Sequence, residues 1–167
     1  LYTSLLLVNA ATPDLAPQLG FVAGVALAST LARLLGERTL LKWPNDIVVN
    51  GAKLAGMLLE GTQTQGGGFA CVMGVGVNCA SHPQDLPYPA TDLASLGLAV
   101  SPGDLLDSFA EELADRLDQW DEGRGFAQIR AAWLSFAAGI GEAAVVAVGD
   151  LRIKGVLHGL DERGRLL

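Results

Sequence analysis

Lysine and positive charge are scarce in this chain. Only three of its 167 residues are lysine, and 11 lysines and arginines face 18 aspartates and glutamates, which gives a formal net charge of −7. A general nucleic-acid binder needs a basic face that displaces counterions, so this class of protein is excluded. Two of the lysines, Lys42 and Lys53, flank one short segment, which indicates a local site for an anionic ligand rather than a role in solubility.

Cysteine and histidine are equally scarce. The chain contains Cys71, Cys79, His82 and His158, too few residues for a zinc site of ordinary composition. We expect the two cysteines to be free thiols in a reducing cytoplasm, with a disulfide between them as the alternative.

Long hydrophobic runs are missing too. Gly, Asn or a charged residue interrupts the apolar stretches well before about 18 residues, so the sequence predicts no membrane span. The first residues, Leu1–Val8, have no basic flank and no cleavage pattern, so they do not form a signal peptide. They read as a strand inside a domain, and no Met precedes them, so we expect a fragment of a longer protein. Half of the residues are hydrophobic, enough for the core of one domain.

The start of the chain predicts a strand followed by a long helix. Leu5–Val8 is a continuous apolar run, typical of a buried strand. Thr12-Pro13-Asp14 predicts a helix start, because it supplies a hydroxyl cap, a proline at the first helical position and an acid at the positive end of the dipole. The Ala- and Leu-rich run that follows continues to Leu35 and should end at Gly36.

A hairpin comes next. Leu40–Trp43 and Ile47–Val49 read as short strands. Asn50-Gly51 is the strongest two-residue signal for a hairpin, because both positions accept a positive φ. We therefore expect Ile47–Val49 to pair antiparallel with a strand that contains Lys53–Glu60.

The rest of the chain alternates between strand, irregular and helical patterns. Phe69–Asn78 predicts another strand, and the prolines between residues 80 and 102 predict an irregular segment. Ser101-Pro102 should cap a helix whose apolar residues recur at helical spacing as far as Trp120. A further helix is predicted over Phe126–Phe136. Beyond a boundary marked by glycines, a small all-β module should contain strands at Val145–Val148, Ile153–Leu157 and Leu166-Leu167.

The first candidate motif is Lys42-Trp43-Pro44-Asn45-Asp46. Pro44 fixes its own φ and favours an extended Trp43, so the corner is stiff. Asn45 can donate and accept hydrogen bonds, while Asp46 can bind a magnesium ion or a cationic group. The alternative is an ordinary turn, in which Asn-Asp is common.

The second and third motifs lie on the strands that follow. Lys53 could neutralise a carboxylate oxygen and a phosphate, and Gly56 leaves room for a ligand; the alternative is a surface lysine. Gly74 and Gly76 leave one face of their strand bare, a flat shelf for a planar ligand, and Asn78 could add a side-chain contact. Tight packing of the sheet on a helix explains these two glycines equally well.

In these three motifs, taken in order, the chain resembles the catalytic domain of biotin protein ligases. The motifs read Lys42-Trp43-Pro44-Asn45-Asp46, then Lys53-Leu54-Ala55-Gly56 with Leu58 and Glu60, then Gly74-Val75-Gly76-Val77-Asn78. The resemblance implies an α+β fold of the class II synthetase and biotin ligase type, with a mixed, largely antiparallel sheet backed by helices. The catalytic domain would occupy residues 1–138, and residues 139–167 would begin a small SH3-like β-barrel.

The resemblance also implies an activity. The family uses ATP and Mg²⁺ to convert biotin to biotinyl-5′-AMP and then transfers biotin to a lysine in the biotin carboxyl carrier domain of a carboxylase. We therefore expect a cytoplasmic, AMP-forming ligase that binds neither nucleic acid nor a membrane. By analogy with the family, it would form a homodimer through a sheet edge.

Residue roles follow by motif. Lys53 would be the catalytic residue, in contact with the biotin carboxylate and later with the acyl–phosphate oxygen. Asp46 would also hold the magnesium ion. The biotin pocket would comprise Lys53, Gly56, Leu58, Gly74, Val75 and Gly76. The nucleotide would lie against Lys42, Trp43, Asn45, Asp46 and Asn78.

Two family features lie outside the sequence, and two alternatives stay open. The resemblance places a Gly-Arg-rich loop, which closes over the adenylate, and a Ser/Thr-Asn segment before Leu1. The 167 residues do not include the family's optional DNA-binding domain, so from them we expect no repressor role. One alternative is a lipoate ligase or octanoyltransferase, which shares the architecture without the Trp-Pro-Asn-Asp corner. The other is a non-catalytic protein that binds a cofactor or dimerises through its sheet.

Overall fold

A five-stranded antiparallel sheet is the frame of the structure. The computed structural model describes residues 1–167 except for the side chain of Val148. The strands are β1 (Tyr2–Val8), β2 (Thr39–Lys42), β3 (Asp46–Val49), β4 (Ala52–Gln63) and β5 (Phe69–Val77), in the order β1-β5-β4-β3-β2. The α+β class and the predicted strands are confirmed, and parallel pairing is confined to isolated bridges such as that between Leu41 and Ala137. The expected burial of Leu5–Val8 was wrong, because β1 is an edge strand in which Leu6 and Val8 are 61% and 56% exposed.

The predicted hairpin between β3 and β4 is confirmed. Asn50 and Gly51 have φ angles of 51° and 79°, the positive values that the turn requires. The register shifts between Ile47 and Val48, which pair with Ala55 and Lys53. Leu54 is therefore the extra residue of a β-bulge on β4, and such a bulge changes which side chains face each side of the sheet.

Three helices lie on one side of the sheet. They are α1 (Ala16–Leu35), α2 (Pro102–Trp120) and α3 (Phe126–Phe136), and short 3₁₀ turns follow α1 at Gly36–Arg38 and α2 at Asp121–Gly123. Helix α2 reaches the sheet through α1 and α3. The predictions for α2 and α3 are confirmed. The backbone amide of Asp104 donates to the Ser101 hydroxyl at 3.5 Å, which is the predicted cap.

The predicted start of α1 was wrong, whereas its predicted end is confirmed. The carbonyl of Thr12 accepts the amides of Leu15 and Ala16, so Thr12-Pro13-Asp14 opens a separate turn. The helix itself begins at Ala16, with Pro17 in its first turn, and Gly36 ends it with a φ of 65°. A short polar sequence can start either a turn or a helix. Here it forms a turn that precedes the helix.

Helix α1 is the centre of the hydrophobic core. By length and composition alone it could cross a membrane, but 61% of its most apolar 18-residue window is buried inside the domain. It packs against the sheet on one side and against α2 and α3 on the other. Glu112 of α2 accepts hydrogen bonds from Arg33 of α1 at 2.8 Å and from Arg116 of its own helix at 2.9 Å, which ties the two helices together.

The C-terminal residues form a hairpin and then return to the core. Strands β6 (Ala143–Val148) and β7 (Leu151–Val156) pair antiparallel, close to their predicted positions. The predicted strand at Leu166-Leu167 is reduced to a single bridge with Leu160. Leu160 is 2% exposed and belongs to the same core as α1. The SH3-like barrel and the domain boundary at residue 139 stay predictions.

Candidate functional site

A glycine-floored cavity of about 650 Å³ lies on the sheet face opposite α1. Gly56 of β4 pairs with Gly76 of β5, and Leu58 pairs with Gly74, so three glycines from two neighbouring strands meet on one face. Met73, Val75 and Val77 of β5 point the other way, into the core, so Val75 borders the cavity through its backbone. The lining of the cavity includes most of the residues singled out in the sequence: Asn45, Lys53, Gly56, Leu58, Gly74, Val75, Gly76 and Asn78.

The bulge in β4 brings Lys53 to this cavity. Strand residues alternate between faces, so positions 53 and 56 of a regular strand would point in opposite directions. With the extra residue, Leu54 and Ala55 are both buried in the core, while Lys53 and Gly56 both line the cavity. The sequence gives no signal for this bulge.

Lys53 and Asp46 form a half-buried ion pair. The Lys53 ammonium lies 2.5 Å from Asp46 Oδ1, and the two side chains are 29% and 25% exposed. A β-carbon added at Gly56 would lie 3.0 Å from Lys53 Cε and 3.1 Å from Nζ. Any other residue at this position would crowd the ammonium where it lies over the strand.

An irregular segment, residues 80–91, covers one side of the cavity. Its Pro83, Leu86, Tyr88 and Ala90 line the cavity with the strands. The Tyr88 ring centroid is 5.6 Å from the Lys53 ammonium. Sequence reasoning identified this segment as irregular but missed Tyr88, for which the only signal is a proline on either side.

A buried carboxylate anchors this covering segment. Asp92 is 3% exposed; its Oδ2 lies 2.6 Å from His82 Nδ1, and its Oδ1 accepts the amide of Ser95 at 2.7 Å. The hydrogen bonds from His82 and Ser95 lower the pKa of the Asp92 carboxyl, against the opposing effect of burial. Sequence reasoning missed this pair, because its two residues are distant in sequence and lie outside any regular element.

The two asparagines hold the backbone of the site. Asn45 Nδ2 donates to the Met57 carbonyl at 2.5 Å, and the Met57 amide donates to the Asn45 carbonyl at 2.9 Å. Asn78 Nδ2 donates to the Thr91 carbonyl at 2.9 Å. Asn45 thus fixes the corner against β4, and Asn78 fixes the covering segment against the end of β5.

Lys42 and Trp43 lie away from the glycine floor. Lys42 is exposed at the end of β2 and pairs in register with Asp46. The Trp43–Pro44 peptide bond is cis. Trp43 lines a second cavity, of about 880 Å³, between α1, the core side of the sheet and the C-terminal residues, and Asn45 lines both cavities.

The residues of the site could bind Mg²⁺ only if a bound nucleotide supplied further oxygen ligands. Within the part of the chain that the structure describes, no three His, Cys, Asp or Glu side chains gather as a metal site. Mg²⁺ keeps several waters and is commonly held by one or two carboxylates together with substrate phosphates. Asp46, beside the cavity, could supply one such oxygen.

Comparisons with known proteins match this chain to one family. The model of the Biotin/lipoate A/B protein ligase family matches residues 1–78. A Biotin–[acetyl-CoA-carboxylase] ligase of Paracoccus denitrificans is 38% identical over 160 residues, which cover 91% of this chain and 66% of that protein. The Bifunctional ligase/repressor BirA of Bacillus subtilis is 30% identical, over 90% of this chain and 48% of that protein. The chain therefore spans about two thirds of the length of the first relative and about half of the second.

Solved structures lead to the same family. The biotin protein ligase from Aquifex aeolicus in complex with biotin and ATP has a TM-score of 0.80 and 26% identity, over 99% of this chain and 69% of that one. The apo structure of the ligase from the same organism has a TM-score of 0.81 and covers 72% of that chain. Together, the three motifs, the fold and these relatives show that the chain belongs to the biotin protein ligase family.

Proposed function

We propose that the protein containing this chain activates biotin with ATP as biotinyl-5′-AMP and transfers biotin to a lysine of a carboxylase carrier domain. The observation that carries the proposal is the Lys53 ammonium, held by Asp46 at the edge of a glycine-floored cavity. A flat floor suits the fused rings of biotin, whereas a long acyl chain such as that of octanoate needs a narrow apolar tunnel. The family relationship and the biotin and ATP complex of the Aquifex ligase support this choice of ligands.

The proposed chemistry needs a fixed cation. A carboxylate oxygen of biotin bonds to the α-phosphorus of ATP, and the bond to pyrophosphate breaks. Two anionic groups meet at that point, and a preorganised ammonium stabilises the charge that develops there. In the second step the acceptor amine attacks the acyl carbon, AMP leaves with the bonding electrons, and the amine loses a proton. Lys53 would stabilise charge in both steps.

The other roles follow from position around the cavity. The biotin rings would lie on Gly74–Gly76, with Gly56, Leu58 and Val75 completing the pocket. Asn45, Asp46 and Asn78 would face the adenylate, while Lys42 and Trp43 would support the corner that holds them. Asp46 would supply one ligand to Mg²⁺, and that ion would neutralise phosphate charge when bound with ATP.

The setting of the activity is part of the proposal. Cys71 and Cys79 are free thiols, as suits a reducing cytoplasm. The partner would be the biotin carboxyl carrier domain that the name of the Paracoccus relative implies. Strand β1 lies at the edge of the sheet, and pairing of this edge between two copies would form the predicted homodimer.

Substitution of Lys53 tests the proposed function. In the full-length protein with biotin and MgATP, we expect Lys53→Ala to slow pyrophosphate release by at least about 100-fold, because an aligned charge is lost from the transition state. Lys154→Ala is the matched control, because Lys154 lies exposed on β7. Circular dichroism should show the same fold in both variants.

Three results would contradict the proposal. Wild-type rates in Lys53→Ala would remove the proposed role of this residue. Biotin binding without pyrophosphate release in the wild-type protein would favour the non-catalytic alternative. Activation of lipoate in preference to biotin would favour the lipoate ligase alternative.

A further inference from the structure

We propose that Tyr88 is a positioning residue that holds the Lys53 ammonium in place to receive a carboxylate. This inference rests on the proposed function, because it concerns the group that is to meet the biotin carboxylate. It goes further by assigning a role to an aromatic residue of the covering segment, which none of the three motifs contains.

The first argument is distance. The Lys53 ammonium lies 5.6 Å from the centroid of the Tyr88 ring, inside the range of about 6 Å within which a cation is attracted to an aromatic face. Asp46 Oδ1 holds the same ammonium at 2.5 Å, and Gly56 passes close to it. The ammonium is therefore located by a carboxylate, a ring and a bare stretch of backbone.

The second argument is that the ring is tied to Lys53 through the main chain. The Lys53 amide donates to the Pro89 carbonyl at 2.9 Å, and the Thr91 amide donates to the Lys53 carbonyl at 2.9 Å. This forms a short parallel bridge between Lys53 and Ala90. Ring and ammonium are thus attached to two pieces of backbone that are bonded to each other, so they move together.

The third argument is local stiffness. Pro87 and Pro89 flank Tyr88; each fixes its own φ, and Pro89 restricts Tyr88 to extended conformations. Tyr88 is 44% exposed, so the surrounding core does little to hold its ring. The two prolines stiffen the backbone that carries the ring instead, so less backbone entropy remains to be lost when a ligand binds.

The fourth argument concerns charge. An aromatic face attracts a cation without carrying a formal negative charge. The ring can therefore restrict the ammonium without cancelling its attraction for an anion, as a second carboxylate would. Asp46 and Tyr88 thus hold the Lys53 ammonium in different ways. Asp46 contacts it with a negative charge, and Tyr88 contacts it with an uncharged ring.

Two substitutions in the full-length protein separate the ring from the hydroxyl. Tyr88→Phe keeps the aromatic face, and we expect kcat/KM for biotin to stay within about 2-fold of the wild-type value. Tyr88→Leu keeps apolar bulk without the face, and kcat/KM should fall about 5- to 30-fold, the effect of a partly desolvated cation–π contact. Binding of biotinamide, which has no carboxylate, should be the same in both variants.

A double-mutant cycle and a spectroscopic signal exclude a merely structural role. In a Lys53→Met background, Tyr88→Leu should cause no further loss of biotin affinity, because the group that the ring positions is absent. In NMR spectra of protein with labelled lysines, the Lys53 ε-methylene protons should lose a ring-current shift in Tyr88→Leu and retain it in Tyr88→Phe.

Several results would overturn the inference. One is equal kcat/KM for biotin in the Phe and Leu variants, and another is equal loss of affinity for biotin and biotinamide. A Tyr88→Leu effect that persists undiminished in the Lys53→Met background is a third. These results differ from a failure of the proposed function, which would appear as normal activity in Lys53→Ala with Tyr88 intact.

Discussion

The end of the Lys53 side chain lies directly over Gly56. The Lys53 side chain crosses this glycine to reach Asp46, and an added β-carbon would crowd the end of that side chain. The position of the ammonium thus depends on a residue that carries no functional group. The structure shows how closely Lys53 approaches Gly56, whereas the sequence context only indicates room for a ligand.

The corresponding prediction is that Gly56→Ala separates activity from stability. The new β-carbon would lie 3.0 Å from Lys53 Cε and displace the flexible end of that side chain, so pyrophosphate release should fall at least about 10-fold. Because a side-chain end can move, the free energy of unfolding should change by less than about 1.5 kcal/mol.

Gly66→Ala is the control for this experiment. Gly66 lies in the turn between β4 and β5, and nothing lies within 4 Å of an added β-carbon. Stopped-flow or steady-state assays should show wild-type rates for this variant. If Gly56→Ala keeps the wild-type rate as well, the ammonium does not need its path over the strand.

At the scale of elements, the covering segment is held in place by the contact between His82 and Asp92. The segment lacks helix and strand between residues 80 and 89, so the Asp92 carboxylate supplies much of its order. A buried acceptor with two partners is costly to disturb. The His82–Asp92 pair therefore restricts the movement of the segment that carries Tyr88.

We expect Asp92→Asn to lower the free energy of unfolding by about 1–3 kcal/mol at pH 7. The folded protein lowers the pKa of Asp92, so the carboxylate adds stability above its ordinary pKa of about 3.9 and loses it as the pH falls through the folded value. The difference between wild type and variant should therefore shrink as the pH falls below about 4.

Urea unfolding at pH 7, 5 and 3 measures this difference. Asp85→Asn is the matched control, since Asp85 is an exposed acid of the same segment with a φ of 59°, a conformation that asparagine tolerates. A gap between wild type and Asp92→Asn that is the same at all three pH values would show that the charge of Asp92 contributes nothing.

At the scale of the whole molecule, the end of the chain is attached to the main core. Leu160 is buried, and its carbonyl accepts a hydrogen bond from Arg130 of α3 at 2.7 Å. The hairpin of β6 and β7 is mostly exposed, but the residues after it pack against α1 and α3. Residues 157–167 should therefore unfold together with the sheet and helices.

Truncation of Leu160 tests this coupling. Leu160→Ala should lower the free energy of unfolding by about 2–4 kcal/mol, in a single transition, because it leaves a cavity in the shared core. Leu167 is 61% exposed, so Leu167→Ala should change the free energy of unfolding by less than about 0.5 kcal/mol. Two separate thermal transitions would indicate an independent C-terminal unit.

The parts of the molecule that sequence reasoning predicted are those set by neighbouring residues. Asn50-Gly51 fixes the β3–β4 hairpin because the turn conformation depends on those two residues alone. Ser101-Pro102 fixes the start of α2 in the same way. Thr12-Pro13-Asp14 was misread because a turn and a helix start use the same residue types.

The parts that escaped prediction depend on contacts between distant segments. The bulge at Leu54, which turns Lys53 to the cavity, is visible only in the pairing of β3 with β4. The Tyr88 contact and the His82–Asp92 pair require the covering segment to fold over the sheet. The motifs identified residues that lie together around the cavity, whereas the supporting contacts required coordinates.

The floor of the cavity has one further consequence. It consists of Gly56, Gly74 and Gly76, and glycine has no side chain left to remove. No substitution there can deepen the hollow, and each one makes it shallower, so natural variation at the floor can only narrow the range of molecules accepted. Any broadening has to come from the walls, where Tyr2 and Leu58 are 87% and 58% exposed and can change size without disturbing a packed interior.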